Sequence, residues 1–212
     1  MNLARITLSA LVLLAGIGLF LVTSGAGETK PDLMKQAEEH MVGNGEQASL
    51  QGAYWAMEQG PKVVPVLAKM LTRQKLYEKK YDNAVGAFPF NALWVLSHFK
   101  TTSALSVLQH YYAQSKDKEA LLAINGWKSR SKYGNSAGVL INDHDLLSGS
   151  SEESKVLAHL SAGEPVIDFK TVDNDKEEDA RGGPTQFDRI RVIRTKQVGY
   201  IERASDDFDP TF

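Results

Sequence analysis

Cysteine is absent from the 212 residues, which excludes a disulfide framework, a thiolate nucleophile and a Cys-ligated metal. A lipoprotein anchor, which needs a lipid-bearing Cys at its processing site, is excluded with them. An excess of one charge sign is also missing. The net charge is −2, so no strong overall field favours nucleic acid or anionic lipid. There is no glycine-rich phosphate loop and no Ser in G-x-S-x-G. The five histidines (His40, His98, His110, His144 and His159) form no H-E-x-x-H pair, so the common signatures of phosphate binding and hydrolysis are lacking. Long apolar runs are confined to one place, the beginning of the chain.

With 42% hydrophobic and 24% charged residues, the composition is that of a globular protein. Charge divides unevenly along it. Residues 28–135 carry 14 Lys/Arg and 10 Asp/Glu, or +4, and residues 136–212 carry 9 and 16, or −7. That asymmetry points to two units attracted to each other.

The apolar run Ile6 to Val22 follows Arg5 and precedes the small residues "TSGAG". As a helix it spans about 25 Å against a hydrocarbon core of about 30 Å. Residues 1–27 therefore read as a signal peptide, cleaved after Ala26, or as an uncleaved anchor helix. Either reading exports the remainder.

Beyond it the apolar spacing is helical. Thr29-Lys30-Pro31-Asp32 reads as a helix start, and Met34, Ala37 and Met41 supply one side before Gly43 to Gly45. Leu50, Ala53, Tyr54 and Met57 form a stripe, Gly60-Pro61 breaks it, and Val63, Val66, Leu67, Met70 and Leu71 form another. Ala92, Val95, Leu96 and Phe99 repeat the first stripe 42 residues later. Ala104, Val107, Leu108, Tyr111 and Tyr112 repeat the second at an offset of 41. Ala120, Ala123, Ile124 and Trp127 begin a third, truncated unit. The stretch "GAFPFNALWVLSHFKTTSALSVLQHYY" resembles a HEAT repeat, whose units stack because none can bury its apolar side alone. An irregular helical bundle or a tetratricopeptide-like array is the alternative. Trp55 and Trp94 fall beside their stripes, as surface anchors would. "KLYEKKYDN", Lys75 to Asn83, reads as a solvated, basic helix end.

"KSRSKYGNSAG", Lys128 to Gly138, reads as a polar, flexible boundary. After it the period falls to two: Val139-Leu140-Ile141, then Val156, Ala158 and Leu160, then Val166 to Phe169, Ile190 and Val192, and Val198 to Ile201. About five short strands with Gly/Ser/Pro/Asn turns predict a small barrel. "DLLSGSSEESKVLAHLSAGEPVIDF" with "FDRIRV" and "VGYI" resembles a bacterial SH3-like domain. Ser148-Gly149, Val156, Leu160, Gly163 and Val166 fall at its turn and strand-pair positions, with Gly199-Tyr200-Ile201 at the close. The Arg that often precedes Ser-Gly in that family is absent, and its common Trp positions carry Phe187 and Tyr200. The resemblance implies binding of peptidoglycan peptides or other proteins, with Leu147, Ser148, Phe187 and Tyr200 as groove contacts.

The acidic stretch Asp173 to Pro184 reads as a solvated loop. An EF-hand starting at Asp173 would need glycine at position 178 and glutamate at 184, where the chain has Glu178 and Pro184. His144 stands between Asp143 and Asp145, but neighbours in a strand point to opposite faces and do not chelate together.

The expected architecture is thus α+β and multi-domain: a HEAT-like helical repeat domain over residues 28–134, an SH3-like barrel over 135–204 and a C-terminal tail over 205–212. The expected function is a non-enzymatic binding or scaffold protein of the bacterial envelope. It is periplasmic or anchored to the inner membrane, touches the membrane only through its N-terminal helix, and has no cofactor, catalytic residue, metal site or nucleic-acid partner. Its helices would hold a protein and its barrel cell-wall peptide or another protein. The alternatives are a membrane-anchored sensor or regulatory subunit and, third, a metal-dependent envelope hydrolase.

Overall fold

Asp32 caps the first helix of the computed structural model, its side chain accepting from Met34 N–H at 3.0 Å; such a cap satisfies one of the helix's orphan donors. The structure describes residues 32–42, 46–80, 88–178, 184–203 and 211–212. The segment read as a signal peptide or anchor, residues 1–27, lies outside them. Among the described residues no helix is long and apolar enough to cross a membrane. Pro31–Phe212 forms one compact unit.

Among the described residues seven helices precede six strands. They are α1 (Leu33–Met41), α2 (Glu46–Gln59), α3 (Val64–Thr72), α4 (Gln74–Lys80), α5 (Phe88–His98), α6 (Thr102–Ser115) and α7 (Lys118–Tyr133). At Gly60-Pro61 the chain does not break off but tightens into a 3-10 turn, Gly60–Val63, that leads into α3. Thr101 and Asp117 cap α6 and α7 through side-chain oxygens on Ala104 N–H and Glu119 N–H. Helix α2 packs on α5, α3 on α6, and both α5 and α6 on α7.

Most expected stripe residues are buried, among them Ala53, Val63, Leu67, Met70, Val95, Leu96, Ala104 and Leu108. Two aromatic placements differ. Tyr54 is 49% exposed, because the small residues Gly52, Ala53 and Ala56 turn inward and let α1 and α2 approach closely. Trp94, expected at the surface, is buried, with the ring of Tyr54 edge-on to it at 6.3 Å. Trp55 is half-buried and stacks on His40 at 4.8 Å.

The strands are β1 (Ala137–Val139), β2 (His144–Leu147), β3 (Val156–Leu160), β4 (Pro165–Glu178), β5 (Pro184–Val192) and β6 (Val198–Glu202). They form one antiparallel sheet in the order β1-β4-β5-β6-β2-β3. Gly163, at φ +88°, makes the turn between β3 and β4, a conformation glycine adopts without a Cβ clash. Much of the acidic stretch is strand and not loop. Asp173 and Asn174 pair with Gln186 and Thr185 across β5, and Glu178 pairs with Pro184.

The stretch read as a flexible boundary is ordered too. Lys128 to Tyr133 completes α7, and Ser129 and Arg130 are buried there. Strand β1 then joins two cores. Val139 belongs to the helical apolar cluster and Leu140 to the cluster of Leu146, Leu160, Val166, Ile190, Val192 and Ile201. Adjacent residues of extended chain face opposite sides, so the end of β1 and the residue after it serve both.

Candidate functional site

The β2–β3 hairpin builds the most chemically varied surface. Its turn is closed by Ser148 N–H donating to Lys155 C=O at 2.9 Å. The register sets His144 opposite Leu160, Asp145 opposite His159 and Leu147 opposite Val156. Beside the hairpin lies a cleft of about 690 Å³, lined by Asp145, Leu147, Glu152, His159 and Glu202 among others. Four carboxylates, counting Asp143, border it. It is therefore acidic, like the C-terminal part of the sequence as a whole.

Several of the cleft's polar groups have a structural role. Asp143 accepts Ala162 N–H at 2.8 Å, which pins the β3–β4 turn. Asp145 and His159 pair across the hairpin through Oδ1 and Nδ1, both exposed. The alternation that keeps His144 from chelating with its neighbours sets it half-buried while Asp145 faces water. Burial holds the His144 imidazole below its ordinary pKa, against the opposing pull of Asp143, Asp188 and Asp145. Among the described residues no group of three or more His, Asp or Glu is arranged to hold a metal ion.

Two of the expected contacts meet. Leu147 lines the cleft, and Tyr200 pairs with it across β2 and β6 and is half-buried. Ser148 is exposed at the start of the turn. Phe187 has to be withdrawn as a groove contact, being 0% exposed. Strand alternation puts Thr185 and Phe187 on one face of β5 and Asp188, Ile190 and Val192 on the other, and all five are buried. An aromatic residue at that position is packing and offers no contact surface.

Three features lie outside the expected set. Asp188 is fully buried; its Oδ1 accepts from Thr171 Oγ1 at 2.7 Å and its Oδ2 lies 3.4 Å from Arg203 Nε. That ion pair ties the end of β6 to β4 and β5. The cue was available as the lone acid in the strand "FDRIRV". Phe169 is 45% exposed, with the Arg189 and Arg191 guanidinium groups 5.3 and 5.7 Å from its ring centre. The β4–β5 register shifts between Asp168 and Lys170, an irregularity that no alternation pattern announces.

The third is on the helices. His98 Nδ1 lies 2.8 Å from Trp94 C=O and Nε2 lies 2.8 Å from Arg130 Nη2. A guanidinium only donates, so Nε2 accepts, Nδ1–H donates, and the ring is neutral. His98 thus bridges α5 and α7, whereas His110 bonds Gln114 within α6.

No family model matches the chain, and neither the curated proteins nor the solved structures contain a match.

Proposed function

We propose that the protein is a non-enzymatic binding protein of the bacterial cell envelope. Its helical part holds a protein partner, and its sheet binds cell-wall peptide or another protein through the acidic cleft beside Leu147 and Tyr200. The observation that carries this reading is the composition of the cleft. Four carboxylates, two imidazoles and three apolar side chains surround an open space, a surface suited to a peptide that presents amines beside an apolar group.

Two aspects of the fold support the parts of the proposal. Helix α2 against α5 and α3 against α6 is the contact pattern of stacked helix pairs. In the sheet, β6 inserts between β5 and β2, a strand order that supports reading the strands after β1 as a small barrel. The barrel is part of the proposal, because among the described residues no ladder joins β3 to β4.

The test is retention of the full chain on purified peptidoglycan, compared with a charge-matched control protein. Retention that falls about tenfold in a Glu152→Gln/Glu202→Gln variant, equivalent to about 1.4 kcal/mol, is the expected result. Retention no greater than the control removes the cell-wall version. Cross-linking in cells, followed by identification of the captured protein, then tests the helical part.

A further inference from the structure

Val139 is buried and belongs to the helical core, yet its strand β1 has β4 on one side only. A buried strand edge leaves backbone donors and acceptors to be satisfied. Toward the β3–β4 turn, Leu140 N–H donates to Glu164 C=O at 3.1 Å and Leu140 C=O accepts Gly163 N–H at 2.8 Å. On the opposite edge the partner is Phe212. Val139 N–H donates to Phe212 C=O at 3.0 Å, and Phe212 N–H donates to Val139 C=O at 2.9 Å. Thr211 bridges Leu140 in antiparallel register.

Side chains match this backbone pairing. Phe212 is 0% exposed and Thr211 3%, and the Phe212 ring lies 5.1 Å from that of Phe90 on α5. Two glycines make room. A Cβ at Gly138 would sit 2.6 Å from the Phe212 carbonyl oxygen and 2.7 Å from the Thr211 side chain. One at Gly126 on α7 would press into the same carbonyl group. The slot is therefore shaped by α5, α7 and β1 for an extended backbone bearing an aromatic side chain, and the tail expected over 205–212 ends buried in it.

The geometry points to a peptide-binding site of the strand-addition class between α7 and β1, whose resident ligand is the chain's own Thr211-Phe212. Main-chain pairing to Val139 supplies the register, and the aromatic pocket beside Phe90 selects the side chain. A competing segment of the same chemistry, extended and carrying a β-branched residue followed by a phenylalanine, has to displace the resident. Occupancy by the resident reduces the apparent affinity for any competitor by the fraction of time the slot stands open. This site shares no lining residue with the acidic cleft and does not depend on it.

The test uses full-length chains and a labelled peptide of residues 206–212, Asp-Asp-Phe-Asp-Pro-Thr-Phe, followed by fluorescence anisotropy. Phe212→Ala empties the pocket and should bind the peptide at least about tenfold more tightly than the wild-type chain. Adding Gly126→Ala to that variant, or replacing the peptide's final phenylalanine by alanine, should abolish binding. A folded Phe212→Ala chain that ignores the peptide overturns the assignment. Equal binding by the wild-type chain does so too, as does binding that survives either control. If Phe212→Ala does not fold alone, near-ultraviolet circular dichroism decides: peptide that restores the native signal supports the site, and peptide that leaves the chain unfolded refutes it.

Discussion

The helical and β regions hold themselves together by different means. In the helices cohesion is spread over many apolar contacts. Helix α5 buries residues on almost every side, from Phe88 and Asn91 through Ser97, because α2, α3, α6 and α7 all pack against it. The sheet has a small apolar cluster, and at its centre a buried carboxylate, Asp188, faces Arg203. One region can lose a contact and keep many others. The other depends on a charge pair that is stabilising only while both members are present.

The largest expected effect tests that dependence. Asp188→Ala should cost about 3–5 kcal/mol, the range for breaking a buried pair by removing one partner, read as a lower urea midpoint. A loss under about 1 kcal/mol would mean that Arg203 finds water and that the comparison is wrong. The matched change in the helices is Leu96→Ala. It removes a fully buried side chain and should cost about 2–4 kcal/mol, through transfer and cavity terms alone.

A reversal of sign sharpens the contrast. Asn91 is 0% exposed, and neither atom of its amide has a hydrogen-bond partner. Leaving such groups unsatisfied is costly, so Asn91→Leu should stabilise the chain by about 1–2 kcal/mol. Removing a buried polar side chain would then help the helices and harm the sheet. Thermal unfolding of both variants under one buffer condition decides this.

The smallest effect concerns pH. The unfolded His144 imidazole titrates near 6.5 and the folded one lower. Between the two values the unfolded chain holds more protons, so stability rises with pH there and is lost on acidification below 6.5. His144→Gln should flatten that part of the profile and leave the alkaline side unchanged. Urea midpoints measured on either side of pH 6.5 would show it.

Much of the helical fold was legible because burial follows a 3.6-residue period that side-chain identity reveals. Val63, Leu67 and Met70, and again Val95 and Leu96, fall inward where their spacing puts them. Tyr54 falls outward because α1 and α2 approach over small residues, Trp94 is covered because helices pack around α5 on nearly every side, and neither closeness nor crowding has a period. The strands were legible as segments but not as faces. Period-two spacing located β3, β5 and β6, yet Phe187 is buried on the face opposite Asp188 and Ile190. Farther along the Phe187 face Arg189 and Arg191 are half-exposed, so alternation alone does not mark where a strand face turns from core to solvent. Of the cleft, Leu147 was named through the turn pattern, while Tyr200, named through the closing-strand pattern, pairs with it across β2 and β6 without being one of the lining residues. Glu152, His159 and Glu202 join them only through the pairing of β2 with β3 and β6.

Local chemistry along the chain was enough to set the helices, their caps at Asp32, Thr101 and Asp117, and the turn at Gly163, since each depends on neighbours a few residues away. The fold alone brought together groups distant in sequence: His98 with Arg130, Asp188 with Arg203, and Phe212 with Val139 and Phe90. These partners are 32, 15 and more than 70 residues apart in the chain. Whether a polar or aromatic side chain at such a position meets water or a partner is decided by packing, because the desolvation cost arises only once the chain has closed around it.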